Sequence, residues 1–464
     1  MAHASGERTS GVDRRRVLEL TEREEARFLA ERPRSADLLR RGTASMPRGV
    51  PMAWMTQLFG HPAIFMDRGE GPYVFDVDGH RYLDTNIADT SMFCGYSPEP
   101  VVETVRERIG AGPQFLMPTE DAIVVAEELA RRWRLPKWQF TLSATSANTE
   151  AFRVCRHRTG RRKVLMFAGK YHGHADEMLV TSEDGRSVPE FRGLAPSAAE
   201  HTVLVDFNDV RALEQALATD EVACVVTEPA LTNVGVILPD PGFHETLRSL
   251  TREHGTLLIY DETHTLICGP GGLVRAWGLD PDLVTVGKSI GGGVAIGAYG
   301  MSDDAASALE GRDAPVSSAV TSMIFGDEVA TGGTLFGNAL QMAAARAALT
   351  EVLTDDAYDR TSRLGEKLAD GIDRASSRAG LPWCAHRLVA RAGYQFDGVL
   401  PRTAREAHAA HDPELYRLLR LFMANRGVWE AMEWAGPAVS VAATDGDIAR
   451  YLEILDEMVG ELAA

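Results

Sequence analysis

Lysine is scarce in this chain, which has five lysines among 48 basic residues. The chain also lacks any run of about 18 apolar residues, so we predict no membrane-spanning helix. Residues 1–16 are polar and contain no apolar segment, which argues against a secretion signal. With 45% apolar and 25% charged residues, the composition is typical of a globular protein, and the five scattered cysteines favour a reducing cytoplasm.

Cysteine and metal-binding patterns are equally sparse. The five cysteines are scattered and lack CxxC spacing, so the sequence predicts neither a zinc site nor a disulfide framework. His172 and His174 have no third candidate ligand nearby, so we expect no metal. The net charge of -18 disfavours a nucleic-acid partner.

Lys288 is the most informative of the few lysines. It follows the apolar run 283–286 and precedes a run of three glycines. An amine at the end of a buried strand is costly, and the chemistry that needs lysine rather than arginine is a Schiff base with a carbonyl. Gly287-Lys288-Ser289 resembles the end of a P-loop, but that motif needs glycine where this chain has Asp282.

Short apolar runs alternate with helical patterns through the middle of the chain. The runs are 163–167, 222–226, 256–260 and 283–286. This alternation predicts a mainly parallel sheet that helices cover on both faces. Before it, residues 71–84 predict a hairpin that turns at Asp78-Gly79, and residues 21–41 have helical spacing. After about residue 345, a helix, a mixed segment and a final helix over 445–462 predict a second, α+β lobe.

Asp261 directly follows the apolar run 256–260, just as Lys288 follows its own run. In open α/β sheets, ligands bind outside the carboxyl ends of the strands, so both side chains could reach one ligand. Pyridoxal phosphate needs such a pair, because its aldehyde bonds a lysine and its pyridine nitrogen needs an acid. The pair therefore predicts a pyridoxal-phosphate site.

Two further segments fit that cofactor. Residues 143–148 are small and polar and precede a helical pattern over 149–157, which is typical of a phosphate cradle and also of an ordinary N-cap. Tyr171 follows the run 163–167, where an aromatic ring can stack on a planar ligand or fill a half-buried core position.

These residues resemble the class III aminotransferases, a pyridoxal-phosphate family of fold type I. The branch is the one that includes glutamate-1-semialdehyde aminomutase and the β-amino-acid aminotransferases, and the resemblance runs from about Met46 to the C-terminus. The motifs that carry it are Met46–Val50, Gly69–Asp84, Glu228–Gly235, Asp261-Glu262, Gly287-Lys288 and Gly332–Asn338.

The resemblance implies an α/β architecture, with a large domain built on a mainly parallel seven-stranded sheet and a smaller α+β domain. We expect residues 1–75 to contribute to the small domain, residues 76–345 to form the large cofactor-binding domain, and residues 346–464 to form the rest of the small domain. The resemblance also implies a homodimer whose two active sites are shared between subunits.

The resemblance assigns a role to each site residue. Lys288 would bond the cofactor and move the proton, and Asp261 would hold the pyridine nitrogen. Tyr171 and Thr263 would lie on the two faces of the ring, and Thr334 would reach the phosphate of the neighbouring subunit. The remaining cofactor-binding residues that it implies are Ser143, Ala144, Thr145, His172, Glu228 and Asn233.

The chain departs from the family pattern where substrate is expected to bind. Some relatives clamp a carboxylate with arginine in two segments that here read 52–55 and 427–434 and contain no arginine. Arg48 and Arg391 are the nearest replacements, although both could be structural. The aromatic and apolar residues of the two segments predict an apolar pocket, or equally a core. The candidate substrate residues are therefore Arg48, Trp54, Met55, Arg391, Trp429 and Glu433, with Trp434 beside them.

The expected reaction is a ping-pong transamination between an amine or amino-acid donor and a keto acceptor. The alternative is an aminomutase or epimerase on the same scaffold, because residues 319–333 resemble the loop that gates the aminomutase. A third reading, a degenerate relative without catalysis, conflicts with the presence of both Lys288 and Asp261.

Overall fold

The computed structural model describes residues 10–56, 62–183, 185–310, 329–430 and 436–463. The chain divides into two compact units. The first consists of Met1–Pro98, Asp356–Pro401 and Arg405–Ala464, and the second consists of Glu99–Asp355 and Arg402–Ala404.

The strands and helices follow one another along the chain as short elements. The strands are β1 (Met66–Glu70), β2 (Tyr73–Asp76), β3 (Arg81–Asp84), β4 (Lys137–Thr141), β5 (Lys163–Phe167), β6 (Val180–Glu183), β7 (Arg186–Pro189), β8 (Thr202–Val205), β9 (Val222–Thr227), β10 (Leu257–Asp261), β11 (Leu283–Gly287), β12 (Gly297–Met301), β13 (Cys384–Leu388), β14 (Arg391–Gln395) and β15 (Val428–Trp429). The α-helices are α1 (Arg14–Ala30), α2 (Pro33–Gly42), α3 (Glu99–Ala111), α4 (Glu120–Trp133), α5 (Ala144–Thr159), α6 (Val210–Leu217), α7 (Phe243–Glu253), α8 (Gly272–Ala276), α9 (Asp303–Ala306), α10 (Ala339–Ala347), α11 (Asp355–Arg378), α12 (Ala404–Ala410), α13 (Pro413–Ala424) and α14 (Asp445–Ala463).

Short 3-10 turns are present as well. They are Pro47–Gly49, Ala53–Thr56, Asp176–Met178, Pro196–His201, Thr265–Cys268, Lys288–Gly291 and Ser307–Leu309, and a π-helical turn spans Ala348–Val352.

The second unit is built on a seven-stranded sheet, as the sequence predicts. Its strand order is β4-β12-β11-β10-β9-β5-β8. Strand β12 runs antiparallel to its neighbours β4 and β11, and the remaining strands share one direction. The mainly parallel α/β fold expected from the alternating pattern is therefore confirmed.

Burial explains why those apolar runs form the centre of the sheet. Every residue of β9 and β11 is buried, as expected for parallel strands with helices on both faces. Helix α5 packs Ala147, Ala151 and Val154 into a core that also contains β-strand residues. Because the parallel strands share one direction, the loops that follow β4, β5, β9, β10 and β11 lie at the same edge of the sheet.

The first unit contains a smaller sheet of order β1-β2-β3-β15, in which β15 pairs parallel to β3. Strands β2 and β3 form the predicted hairpin, and Gly79 takes the positive φ of 95° that its turn requires. Side chains from α1, α11, α13 and α14 share one hydrophobic core in this unit.

One expectation needs correction. The helix expected over 21–41 is split into α1 and α2, because Pro33 lacks a backbone N–H and takes the first position of α2. The domain boundaries expected at 75/76 and 345/346 stay predictions.

No helix in the described part of the chain is long and apolar enough to cross a membrane.

Two helical glycines of the first unit provide a matched test of packing. A Cβ at Gly365 in α11 would lie 2.0 Å from the carbonyl oxygen of Val389, whereas a Cβ at Gly460 in α14 would meet nothing within 4 Å. We expect Gly365→Ala to lower the free energy of unfolding by about 1–3 kcal/mol through overpacking. Gly460→Ala should raise it by about 0.5–1 kcal/mol, because alanine favours helix.

Urea denaturation of the two variants checks this prediction. A Gly365→Ala protein as stable as the Gly460→Ala protein would contradict the close approach of α11 to the backbone at Val389.

Candidate active site

The candidate site lies at the sheet edge where the parallel strands end. Lys288 comes directly after β11 and is half-buried. Its backbone has a φ of 53°, a left-handed conformation that is uncommon for residues other than glycine. Such outliers cluster at functional sites, where the surrounding structure holds the strained residue in place. The backbone conformation of Lys288 therefore supports the functional role that the sequence predicts for it.

The Lys288 amine forms a short hydrogen bond with Nε2 of His264. His264 is buried and lies three residues after Asp261, in the loop that follows β10. The sequence-based analysis did not single out this histidine. The signal that could have found it is its position directly after the Asp261-Glu262-Thr263 run at a strand end.

Asp261 is the last residue of β10 and is only 3% exposed. Its Oδ2 accepts hydrogen bonds from Asn148 Nδ2 and from His172 Nδ1, each at 2.9 Å. Its Oδ1 accepts from the backbone N–H of Thr263 at 3.0 Å. Burial favours the neutral acid, but these hydrogen bonds outweigh it, with that of His172 contributing most, and the pKa of Asp261 is below its ordinary value.

The hydrogen bonds also leave this carboxylate able to bind a ligand. An ionised carboxylate offers about four acceptor positions, and three are used here. Asn148, which supplies one of the donors, is a second residue that the sequence analysis missed. Its side-chain oxygen accepts from Thr285 Oγ1 at 2.7 Å, so the amide is held from both ends.

The segment predicted to bind phosphate forms the start of α5. Ser143 is the N-cap, and its hydroxyl accepts from the N–H of Ser146 at 3.2 Å. The N–H groups of Ala144 and Thr145 lie in the first helical turn, where no intrahelical partner exists. The Thr145 hydroxyl accepts from the N–H of His174 at 3.2 Å. The helix start therefore combines amides that have no intrahelical partner with a positive dipole end, as an anion site requires.

Gly173 holds the loop after β5 close to this helix start. A Cβ at Gly173 would lie 2.5 Å from the Thr145 hydroxyl, and its φ of 124° also requires glycine. The neighbouring Tyr171 is 48% exposed, so its ring is accessible at this edge.

Two buried polar atoms near Asp261 lack a hydrogen-bond partner among the residues that the structure describes. They are the Thr263 hydroxyl and Nε2 of His172. Buried polar atoms without a partner are uncommon and point to a ligand or a water molecule. Both atoms belong to residues that the family resemblance assigns to the cofactor.

Glu228 and Asn233 follow β9. Asn233 Nδ2 donates to Glu228 Oε1 at 2.9 Å, and Thr232 donates its hydroxyl to Glu228 Oε2. Thr232 is a third residue that the sequence analysis missed. Its position four residues after Glu228 gives no signal without the fold, because their contact depends on the path of this loop.

Thr334 lies in an exposed turn, and its carbonyl oxygen accepts from Gln114 Nε2 at 2.6 Å. Its expected contact with a neighbouring subunit stays a prediction.

The candidate substrate residues belong to the first unit. Arg48 has a positive φ of 60° within a 3-10 turn, and Arg391 is buried at the start of β14. Trp54 is exposed and Met55 is half-buried. Trp429 packs in a core cluster with Tyr82, and the two rings meet edge to face at 5.8 Å. The roles of these residues in substrate binding stay predictions. Glu433, Trp434 and most of the expected gating loop lie outside the described residues.

The residues of this site fit pyridoxal phosphate. Lys288 offers an amine for the aldehyde, Asp261 offers an ionised carboxylate for the ring nitrogen, and the start of α5 offers amides for the phosphate. The Thr263 hydroxyl, which lacks a hydrogen-bond partner among the described residues, and the exposed ring of Tyr171 are the groups that the resemblance places on the two ring faces. Three ligand groups of different chemistry thus have matching protein groups at one edge of one sheet.

Comparison with known proteins agrees with this fit. The sequence model of the family Aminotransferase class-III matches residues 56–381. The chain is 36% identical over 370 residues to the glutamate-1-semialdehyde 2,1-aminomutase of Rhodopirellula baltica, with 78% of this chain and 80% of that protein covered.

Two solved structures are similar over almost the full length. A glutamate-1-semialdehyde aminomutase from Pseudomonas aeruginosa PAO1, solved in complex with PMP, has a TM-score of 0.91 and 39% identity, covering 97% of this chain and 100% of that one. A β-phenylalanine aminotransferase from Variovorax paradoxus has a TM-score of 0.84 and 26% identity, covering 96% and 97%.

Asp261→Asn tests the role of the buried carboxylate. Asparagine has nearly the same shape but no negative charge, and its amide nitrogen would face a donor. We expect the single-turnover rate at saturating cofactor to fall by about 100-fold or more, measured from the cofactor absorbance. Asp240→Asn is the control, because Asp240 forms a surface ion pair with Arg402 that should matter little. Equal rates in the two variants would contradict the role assigned to Asp261.

Proposed function

The chain belongs to the class-III aminotransferases, and from that premise we propose that it is an aminomutase. Pyridoxal phosphate is the cofactor. The reaction moves an amino group between two carbon atoms of one substrate. The first substrate to test is glutamate-1-semialdehyde, and the product would be the isomer whose amino group has moved from carbon 2 to carbon 1.

The observation that carries this proposal is the similarity to aminomutases along nearly the whole chain. Both the Rhodopirellula protein and the Pseudomonas structure bear that name. The TM-score and the sequence identity are both higher for the Pseudomonas aminomutase than for the β-phenylalanine aminotransferase. The sequence analysis preferred intermolecular transamination, and the comparisons favour its alternative. The preference arose because the shared Lys288 and Asp261 serve both reactions, so neither residue separates them.

The residues of the site each have a task in such a reaction. When bound, pyridoxal phosphate supplies an aldehyde that bonds amines and a ring that withdraws electrons from the adjacent carbon. Lys288 Nζ would hold the cofactor between turnovers and, after the substrate amine replaces it, carry a proton from one carbon to another. Asp261 Oδ atoms would keep the ring nitrogen protonated, since an ionised carboxylate stabilises the adjacent positive charge.

Intermolecular transamination is the second candidate. It is supported by the likeness to the β-phenylalanine aminotransferase and by the exposed Trp54 in a segment without arginine. An enzyme of this kind would need a keto acceptor for every turnover.

A homodimer with shared active sites also belongs to the proposal. It is supported by a loop of the second unit in which Phe115, Leu116 and Met117 are exposed, the last two at 71% and 73%. Contiguous exposed apolar side chains are typical of protein interfaces. In the same loop, Gln114 bonds the carbonyl of Thr334, the residue expected to reach the partner subunit.

Dependence on an acceptor separates the two reactions. We expect the purified protein, loaded with cofactor, to convert glutamate-1-semialdehyde to its isomer catalytically without any keto acid. Product is measured by chromatography with mass detection. Turnover that stops at one product per site and resumes when a keto acid is added would overturn the aminomutase proposal in favour of a transaminase.

Lys288→Ala tests the lysine itself. Removing the amine deletes both the cofactor bond and the proton carrier, so we expect turnover to fall by at least about 1,000-fold with the fold retained. Borohydride reduction followed by peptide mapping should place the cofactor on Lys288 in the wild type. A cofactor label on Lys137, Lys163, Lys170 or Lys367 would contradict the assignment.

A further inference from the structure

A line of hydrogen bonds connects the Lys288 amine to a buried carboxylate. Lys288 Nζ bonds Nε2 of His264, and Nδ1 of His264 bonds the Thr232 hydroxyl at 2.7 Å. The Thr232 hydroxyl bonds Glu228 Oε2, which also lies 3.9 Å from Nδ1 of His264. These residues are buried apart from Lys288, and they come from the loops after β9, β10 and β11. The family resemblance assigns roles to Glu228 and Lys288, but it assigns none to Thr232 or His264.

The direction of the hydrogen bonds follows from the chemistry of the groups. A carboxylate can only accept hydrogen bonds. The Glu228 carboxylate accepts them from Asn233 Nδ2, from the backbone N–H of Thr232 and from the Thr232 hydroxyl. The single hydroxyl hydrogen of Thr232 is thereby assigned to Glu228, so its oxygen accepts from His264 Nδ1. In the neutral imidazole the hydrogen is then on Nδ1, and the lone pair of Nε2 points at the Lys288 amine.

We propose that His264 is a positioning residue for the amino-transfer reaction. It accepts a hydrogen bond from Lys288 Nζ and so holds the amine in place while the amine carries a proton between carbon atoms. This role rests on the proposed function of Lys288. The proton is taken from a substrate carbon onto Nζ, remains there as ammonium while Nε2 accepts its hydrogen bond, and returns to a second carbon. No proton is gained or lost overall. Glu228, through Thr232, makes Nε2 a stronger acceptor because hydrogen bonds in a chain polarise one another.

Three other titratable groups, Asp261, Glu262 and His172, form hydrogen bonds with other partners. Asp261 accepts hydrogen bonds from His172 Nδ1 and from Asn148 Nδ2. Glu262 accepts from the backbone N–H of Leu273 and of Val274, and burial raises its pKa to about 7. Glu228 is the acid that hydrogen bonds connect to His264, through the Thr232 hydroxyl.

The scarcity of lysine permits a test in the protein without cofactor. An amine-selective reagent applied over a series of pH values, followed by peptide mapping, gives a labelling midpoint for each lysine separately. Lys163 and Lys367 are internal controls, since each forms an ion pair of 2.6 Å at the surface, with Glu221 and Asp445. A hydrogen bond that stabilises the ammonium form raises the midpoint.

We expect His264→Leu to lower the Lys288 midpoint by about one pH unit, because the ammonium loses a charge-assisted hydrogen bond. His264→Gln, whose amide oxygen can accept the same bond, should restore most of the wild-type midpoint. The midpoints of Lys163 and Lys367 should stay unchanged in both variants.

Thr232→Val distinguishes the hydrogen-bonded chain from a merely structural contact. It removes the link to Glu228 without touching Lys288, so it should lower the Lys288 midpoint part of the way, and Thr232→Ser should restore it. In the His264→Gln background Thr232→Val should have no effect, because the amide lacks the ring connection to Thr232. A Thr232→Val shift of equal size in both backgrounds, or a Lys288 midpoint unchanged in His264→Leu, would overturn the proposal.

The outcomes also separate this inference from the proposed function. Borohydride labelling at another lysine would remove the function from Lys288 while leaving the labelling midpoints to report its bond with His264. Unchanged midpoints in an enzyme that isomerises its substrate without acceptor would remove the role of His264 alone. If His264→Leu fails to fold, as circular dichroism would reveal, the Gln and Thr232 variants still decide the question.

Discussion

The shared direction of the parallel strands is the constraint on which the site depends. The residues of the site come from loops after β4, β5, β9, β10 and β11, which are far apart in sequence and meet because these strands end at one edge. Strand β12 runs the other way and lets β4 join the sheet in the same direction as β11. The helix start of α5 thereby reaches the edge that carries Asp261 and Lys288.

Much of this arrangement could be predicted, because its signals are local. Apolar runs indicate where β5, β9, β10 and β11 end, and a charged residue at the end of such a run marks Asp261 and Lys288 as candidates, because burying a charge is costly. Asn148 and His264 escaped prediction because their importance lies in contacts, with Asp261 113 residues away and with Lys288 24 residues away. A buried asparagine in a helix and a histidine after a strand acquire meaning only once their partners are known.

The reaction type could not be predicted for a different reason. The roles proposed for Lys288, Asp261 and the start of α5 would serve aminomutases and aminotransferases alike, so the residues with the clearest sequence signals are those that do not discriminate. Discrimination depends on substrate contacts, and the segments expected to provide them lack the arginine that some relatives have there. The missing arginine removes the expectation of a carboxylate clamp but does not indicate another substrate. Similarity along the whole chain therefore carries more weight than the motifs in assigning the reaction.

The surroundings of the lysines explain how one amine can differ from the rest. Lys137, Lys163, Lys170 and Lys367 each lie within 4 Å of a glutamate or aspartate oxygen. A neighbouring carboxylate favours the ammonium form of a lysine, although at Lys170 burial outweighs Glu190 and lowers the pKa of the amine. Lys288 bonds an imidazole that can accept a hydrogen bond without bringing a full negative charge. The carboxylate of Glu228 lies at the far end of the line of hydrogen bonds, beyond Thr232. There it makes His264 Nε2 a stronger acceptor, while the anion stays away from the amine.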